Sequence, residues 1–217
     1  MISIRDMSFE YPDSGFSLRA GKLDIDSGQT AAIIGPSGSG KTTLLHIAAG
    51  ILLPITGTVR VSDTQISHQN DAVRRAFRIA NIGLIFQEFE LLEYLTVRQN
   101  ILLPYRINPA LKLNASVRNQ AAALADATDI SETLDRRPDR LSQGQRQRVA
   151  ICRALVTGPK IILADEPTGN LDPQISRTIV QVLLEQAARR DATVLMVTHD
   201  HSLLDRFDRI IDLEDLQ

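Results

Sequence analysis

A glycine-rich segment near the start of the chain has the residue types and spacing needed to hold a phosphate group. The pattern G-x-x-x-x-G-K-[ST] is matched in full by Gly35, Pro36, Ser37, Gly38, Ser39, Gly40, Lys41 and Thr42. The glycines permit backbone angles that turn amide N–H groups inward, and a following helix adds the positive end of its dipole. We expect Lys41 to bridge the β- and γ-phosphates of a nucleotide and the Thr42 hydroxyl to bind Mg²⁺. A turn without a ligand is disfavoured, because the complete pattern lies between a predicted strand and a predicted helix.

Two adjacent carboxylates, Asp165 and Glu166, follow the apolar run Ile161–Ala164. Successive residues leave a strand in opposite directions, so the two acids can take different roles. Asp165 is suited to hold Mg²⁺ through its water shell, and Glu166 to polarise an attacking water molecule. On their own they would be interpreted as two solvated acids at a strand end. Beside a phosphate loop, phosphoryl transfer gives a reason for both.

A second helix start that could accept an anion lies in the segment Leu141-Ser142-Gln143-Gly144-Gln145. Ser142 is a favourable N-cap residue, and Gly144 leaves backbone amides uncovered. An amphipathic helix is predicted to follow over residues 146–155. As an isolated pattern, this segment would indicate little.

These residues need a scaffold that brings strand ends and helix starts together, and the hydrophobic pattern predicts one. Compact apolar runs predict buried strands at residues 30–34 and 82–86, and further strands are predicted at residues 58–61, 160–164 and 192–197. Helices are predicted at about residues 41–49 and 173–189, turns at residues 12–15 and 27–28, and helical patterns across residues 87–155. The order strand, helix, strand favours an α/β fold, with a parallel sheet and a helical insertion.

Composition excludes several classes of protein. The chain has 217 residues, with 24 Lys and Arg against 26 Asp and Glu, one Cys and 4% aromatic residues. This near-neutral balance gives no overall basic field to hold nucleic acid, and few rings could stack on bases. Without a run of about 20 apolar residues or an apolar leader segment, we expect no membrane span and no signal peptide. One cysteine fits a reducing compartment.

With these motifs together, the chain resembles the ATP-binding cassette (ABC) ATPases over essentially its whole length. The phosphate loop corresponds to the Walker A motif of that family, IILADEP (161–167) resembles Walker B, and LSQGQ (141–145) resembles the LSGGQ signature. Further matches, in the order of the family, are Tyr11 as the adenine-stacking aromatic, Gln87 of the Q-loop, Gly169-Asn170-Leu171-Asp172 of the D-loop and His199 as the switch histidine.

The resemblance implies a fold and an activity. The expected fold is a P-loop NTPase with a RecA-like parallel-sheet core, an N-terminal antiparallel β part and an inserted α-helical subdomain. One domain would span residues 1–217, with the core in residues 1–86 and 156–217 and the helical subdomain in residues 87–155. The expected reaction converts ATP and water to ADP and phosphate, with ATP and Mg²⁺ as cofactors.

The resemblance also implies a role for each matching residue. Glu166 would be the general base, assisted by His199 and Gln87, while Thr42, Asp165 and Gln87 would organise Mg²⁺ and water. ATP would contact Tyr11 and the loop from Gly35 through Thr42 and Thr43. It would be capped by a second cassette, through Ser142, Gly144, Gln145 and Asp172. Gln143 departs from the family by replacing the first glycine of the signature, and we expect activity to be retained.

The partners implied are a second ABC subunit, most simply a second copy bound in the presence of ATP, and an integral membrane permease. This places the chain in the cytoplasm, peripheral to the inner face of the cell membrane. The segment LLEYLTVRQNILLP (91–104) resembles the corresponding sequence of the lipoprotein-release, macrolide-export and cell-division group (LolD/MacB/FtsE-like). This resemblance favours export or lipoprotein release. Alternatives are a cassette that signals in cell division through a membrane partner, or one that acts in DNA repair or translation.

Two further patterns have competing interpretations. His199 and His201 flank Asp200, but zinc is disfavoured because no cysteine or other nearby histidine supports it. The signature region is locally basic, and we favour a solvated face over a nucleic-acid patch because the total charge is near neutral. The residues concerned are Arg136, Arg137, Arg140, Arg146, Arg148 and Arg153.

Overall fold

Two β-sheets form the framework of the molecule, which a computed structural model describes for residues 1–13, 15–169 and 171–217. The strands among these residues are β1 (Ile2–Glu10), β2 (Ser17–Ile25), β3 (Thr30–Ile34), β4 (Thr56–Val61), β5 (Thr64–Gln65), β6 (Ile82–Ile85), β7 (Ile161–Asp165), β8 (Thr193–Val197) and β9 (Arg209–Asp212). One sheet is antiparallel, in the order β2-β1-β4-β5, and the other is parallel, in the order β6-β7-β8-β3-β9.

The antiparallel sheet contains a bulge that keeps its apolar side chains on one face. Ile2 and Ile4 are buried at even positions of β1, whereas Met7 and Phe9 are buried at odd positions. The pairing with β4 shifts register between Arg5 and Ser8, and the intervening Asp6 has a φ of 46°. One inserted residue reverses the alternation of side chains, so the bulge returns Met7 and Phe9 to the core face.

The parallel sheet is covered on both faces, as the continuous apolar runs of its strands predict. Residues such as Ile33, Leu163 and Leu195 pack against the first helix and the antiparallel sheet. Alternate residues such as Ile162 and Met196 pack against the later helices. Side chains of a strand alternate between faces, so each strand contributes to both cores. The sheet is thus held rigidly, and its carboxyl edge can position functional groups.

The α-helices of the described residues lie between strands β3 and β8 in the sequence. They are α1 (Lys41–Ala48), α2 (Asp71–Asn81), α3 (Val97–Ile101), α4 (Pro104–Ile107), α5 (Ala115–Ala127), α6 (Gln143–Leu155) and α7 (Pro173–Ala188). None of the helices in the described ranges is long and apolar enough to cross a membrane. At the edge of the parallel sheet, the Asp208 carboxylate accepts hydrogen bonds from the backbone N–H and the hydroxyl of Thr30, each 2.8 Å long, and so links β3 to the start of β9.

The α/β fold class is confirmed, and three details differ from the sequence-based expectation. The signature helix was predicted from Arg146 but begins at Gln143, because Ser142 and Gln145 form a capping box. Helix α2 and strand β9 were not predicted. The division into a core and a helical subdomain at residues 86/87 and 155/156 stays a prediction. Ser14, in the predicted turn at 12–15, and Asn170, in the predicted D-loop, lie outside the described residues.

Candidate functional site

The phosphate loop connects the carboxyl end of β3 to the start of α1, as the sequence predicts. Gly35, Gly38 and Gly40 have φ values of 145°, 77° and 105°, which residues with a side chain rarely adopt. The Lys41 amine is buried, with 6% of the residue exposed. It donates to the carbonyl oxygens of Gly35 (2.8 Å) and Pro36 (2.7 Å). The lysine therefore lies folded against its own loop, in position to exchange these carbonyls for phosphate oxygens.

Thr42 and Asp165 are brought together from opposite halves of the chain. The Thr42 hydroxyl donates to the Asp165 carboxylate over 3.1 Å. Burial raises the pKa of the Asp165 carboxyl, and the charge of Glu166 adds to this, while the Thr42 hydrogen bond and the positive charges of His46 and Lys41 lower it. Two adjoining hard oxygen ligands in a partly buried position fit Mg²⁺, and a cation there would favour the charged carboxylate.

Glu166 and His199 meet because β7 and β8 are neighbours and both end at this edge. His199 Nδ1 lies 3.1 Å from Glu166 Oε2. Glu166 has a φ of 41°, and its backbone N–H donates to the Val197 carbonyl over 3.0 Å. The left-handed conformation is unfavourable for glutamate, and such strain is concentrated at functional sites. A methyl group added to Gly169 would lie 3.3 Å from Glu166 Oε2, so this glycine leaves space beside the carboxylate.

A cavity of about 730 Å³ is lined by residues of the phosphate loop, of the first hairpin and of the segments that follow β6 and β7. Its lining comprises Tyr11, Pro12, Asp13, Phe16, Ser37, Gly38, Gly40, Lys41, Thr42, Thr43, Gln87 and Glu166. This volume is in the range of small-molecule and cofactor sites. Both acidic and basic groups therefore open into one space large enough for a nucleotide.

Aromatic rings form one wall of the cavity. Tyr11 makes an edge-to-face contact with Phe9 at a centroid distance of 4.8 Å, and its ring lies 6.0 Å from that of Phe16. The Tyr11 hydroxyl is 3.5 Å from Thr43 Oγ1, and 38% of the residue is exposed. A planar base could pack on such a surface. Tyr11 is among the residues predicted from the sequence, whereas Phe16 is not, although Phe16 directly follows the predicted turn at 12–15 that brings it back towards Tyr11.

The remaining predicted site residues lie at two other helix starts, and they are not among the described residues that line the cavity. The Ser142 hydroxyl accepts from the Gln145 backbone N–H over 3.3 Å, and the Gln145 side chain accepts from the Ser142 N–H over 3.0 Å. The Asp172 carboxylate caps α7, accepting from Gln174 and Ile175, each over 3.0 Å. Ile175 also contacts the position of Gly144. These residues therefore lie outside the lining of the nucleotide cavity of their own chain.

The arginines of the signature region were interpreted as one solvated face, which is wrong for two of them. Arg153 donates to the backbone carbonyls of Phe89 and Glu90, and Arg148 donates to the Thr128 carbonyl over 3.1 Å. Both side chains are therefore part of the folded structure. Long arginine stems pack along apolar surface while the fork finds acceptors, which composition alone does not reveal.

Comparisons with known proteins agree with this geometry. The sequence profile described as ABC transporter matches residues 18–169. The lipoprotein-releasing system ATP-binding protein LolD 1 of Rhodopirellula baltica is 40% identical, over 99% of this chain and 94% of the relative. An uncharacterised ABC transporter ATP-binding protein of Bacillus subtilis, YvcR, is 39% identical, over 92% of this chain and 76% of the relative.

Solved structures show the same fold. A dimeric post-hydrolysis state of an ATP-binding cassette, bound to ADP and phosphate, superposes with a TM-score of 0.87 and 33% identity, over 98% of this chain and 94% of the other. CbiO1 of Clostridium perfringens, part of an ABC transporter complex, gives a TM-score of 0.85 at 28% identity, over 97% and 83% of the two chains. The chain therefore belongs to the ABC transporter family, as one of its ATP-binding and ATP-hydrolysing cassettes.

Proposed function

We propose that this cassette binds ATP with Mg²⁺ in the cavity of about 730 Å³ and hydrolyses it there. The observation that carries the proposal is the convergence of Lys41, Thr42, Gln87 and Glu166 on one cavity. The Thr42 hydroxyl and the Asp165 carboxylate would hold the metal ion, since both are hard oxygen ligands 3.1 Å apart. When bound, Mg²⁺ would neutralise part of the negative charge of the phosphates.

Each residue around the phosphates has a task that its surroundings support. Lys41 transfers its hydrogen bonds from the carbonyls of Gly35 and Pro36 to phosphate oxygens. Glu166 accepts the proton of the attacking water, and His199 orients its carboxylate through the 3.1 Å contact. Gln87 orients the water from the opposite wall. Tyr11 packs against the adenine ring.

A second copy of the chain would complete the site. Ser142, Gly144 and Gln145 lie outside the cavity of their own chain, at the start of α6, where backbone N–H groups and the helix dipole favour an anion. Asp172 also lies outside the cavity, and its carboxylate caps the start of α7. The related cassette bound to ADP and phosphate is dimeric. ATP would then hold two copies together, and hydrolysis would release them.

The energy of hydrolysis would drive a separate membrane permease, in a system of the lipoprotein-release type. Relatives at 36–41% identity are named as ATP-binding proteins of lipoprotein-releasing systems. A groove of about 250 Å³ offers a place for the permease, with an apolar floor that includes Leu84, Phe86, Leu103, Pro104 and Ile107. Ile107 is 60% exposed beside these residues, and a permease bound in the groove would cover it. The chain would then lie at the inner face of the membrane.

The Glu166→Gln variant tests the proposed chemistry. Loss of the general base should lower kcat by about 10²–10⁴-fold, while ATP binding remains because the phosphate contacts are unchanged. The variant should then accumulate as an ATP-bound dimer, measured by light scattering with and without ATP. Glu185→Gln, at an exposed position of α7, is the matched control and should behave as the wild type. Turnover at the wild-type rate in Glu166→Gln would refute the assignment.

A further inference from the structure

The segment 86–90, directly after β6, contributes to two different surfaces. Gln87 lines the nucleotide cavity, whereas Phe86 and Glu90 line the groove of about 250 Å³ on the other side. Neighbouring residues therefore face a binding cavity and an open groove. A small change in the path of this backbone would move the Gln87 side chain relative to the nucleotide.

The backbone of this segment has an unfavourable shape. Phe89 and Glu90 are consecutive non-glycine residues with φ values of 62° and 50°. The turn is closed by hydrogen bonds from the Phe89 N–H to the Phe86 carbonyl (3.2 Å) and from the Glu90 N–H to the Glu88 carbonyl (2.7 Å). Two left-handed side-chain-bearing residues in succession persist only where the surroundings hold them.

Arg153 supplies that hold. It lies in the last turn of α6, and its guanidinium donates through Nη2 to the Phe89 carbonyl (2.6 Å) and through Nη1 to the Glu90 carbonyl. The two acceptors belong to the two left-handed residues, so one planar fork fixes both peptide units. Burial lowers the pKa of Arg153, and the Glu90 charge opposes this. The guanidinium remains charged, and hydrogen bonds from a charged donor are stronger than those between neutral groups.

We propose that Arg153 is a positioning residue for Gln87, holding the carbonyls of Phe89 and Glu90 so that Gln87 remains at the wall of the nucleotide cavity. Because Ser142 caps the other end of the same helix, Arg153 also joins the signature segment to the segment that carries Gln87. The proposal rests on the proposed function for its effect on catalysis. Its structural part, the hold on residues 86–90, stands independently of that function.

Kinetics of Arg153 variants give the first test. Arg153→Met keeps the apolar stem but removes both hydrogen bonds, and kcat should fall about tenfold, equivalent to about 1.4 kcal/mol. KM for ATP should stay within about twofold, because Lys41 and the phosphate loop are untouched. Arg153→Lys can serve one carbonyl at a time and should give an intermediate kcat. Arg177→Met, at an exposed position of α7, is the matched control with unchanged kinetics.

A rescue experiment separates positioning from general loss of stability. Glycine adopts left-handed angles freely, so Glu90→Gly in the Arg153→Met background should restore kcat several-fold. Glu90→Ala removes the same carboxylate but keeps the steric cost, and should restore nothing. Equal effects of the two second substitutions would overturn the proposal.

Hydrogen exchange provides a readout that does not depend on catalysis. In the nucleotide-free protein, the amides of residues 87–90 should exchange faster in Arg153→Met than in the wild type, with exchange in β7 and β8 unchanged. If the wild-type chain has no ATPase activity, the proposed function is refuted, but the difference in hydrogen exchange still tests the hold of Arg153 on residues 86–90. Normal exchange and normal kcat in Arg153→Met, in an active wild type, would refute the positioning role alone.

Discussion

Replacing Gly40 with alanine would separate two constraints that the phosphate loop places on its last glycine. Gly40 caps α1 with a φ of 105°, and a β-carbon there would lie 2.8 Å from Cζ of Phe16 and 3.1 Å from Cδ1 of Leu18. A left-handed conformation costs a residue with a side chain about 1–2 kcal/mol. Overpacking against the ring adds about 1–3 kcal/mol. The sum is a loss of about 2–5 kcal/mol in the free energy of unfolding.

Gly158 provides a matched control for the conformational part of this loss. Its φ is 64°, and no atom of the residues that the structure describes lies within 4 Å of the β-carbon that alanine would add. Gly158→Ala should therefore cost only about 1–2 kcal/mol. Alanine also restricts the unfolded chain, but it does so equally at both positions. The difference between the variants therefore reports the steric part together with the extra conformational cost at Gly40, whose φ of 105° lies outside the left-handed region of about 50–70°.

Urea unfolding of Gly40→Ala, Gly158→Ala, Phe16→Leu and the double variant Gly40→Ala with Phe16→Leu measures these costs. Leucine lacks the ring atom that the new methyl group would meet, so Gly40→Ala should cost about 1–3 kcal/mol less in the Phe16→Leu background. In thermal unfolding, each kcal/mol corresponds to a shift of about 2–4 °C for a chain of this size. If Gly40→Ala costs no more than Gly158→Ala, or if Phe16→Leu does not reduce the cost, the steric reasoning is wrong.

Two other predictions concern the sheet edge and the groove. Hydrogen bonds from Thr30 lower the pKa of Asp208, so its charged form stabilises the fold at neutral pH and this contribution is lost as pH falls through the lowered pKa. Asp208→Asn should therefore have a lower free energy of unfolding in urea than the wild type at pH 7, and this difference should shrink at pH 2. The same difference at both pH values would contradict the reasoning. Ile107→Glu places a charge at the mouth of the proposed permease groove and should reduce recovery of the chain with membranes, leaving ATPase activity of the isolated chain unchanged. If Ile107→Glu and the wild type are recovered equally with membranes, Ile107 is not part of the permease contact.

Sequence reasoning succeeded where a local pattern carries its own physical requirement. The loop from Gly35 to Thr42 needs particular residues at fixed spacing, and the buried strands β7 and β8 are continuous apolar runs. The start of α6 could also have been found, because Ser142 followed three residues later by Gln145 is a capping-box pattern. The helix is predicted to begin at Arg146 instead of Gln143 when only its amphipathic part is considered.

Other features could not be obtained from local patterns. Helix α2 is different, because its apolar residues Val73, Phe77 and Ala80 recur at helical spacing and Phe77 packs on the core, so its pattern was available in the sequence. Strand β9 has four residues and becomes a strand through its pairing with β3. The contact between Glu166 and His199 depends on β7 lying beside β8, and the order of strands in a sheet is a tertiary property. The two carbonyls that Arg153 binds likewise become acceptors only after folding.

The folded position of Lys41 has a consequence for how strongly the chain can bind a nucleotide. When the protein folds, two loop carbonyls replace part of the hydration shell of the ammonium group. Arrival of a phosphate group is therefore an exchange of one set of acceptors for another. The lysine therefore loses less hydration on binding than an exposed lysine would, and the stem of its side chain is already ordered by burial. The loop is preorganised for its ligand, because the Lys41 ammonium group is held by two loop carbonyls until phosphate oxygens replace them.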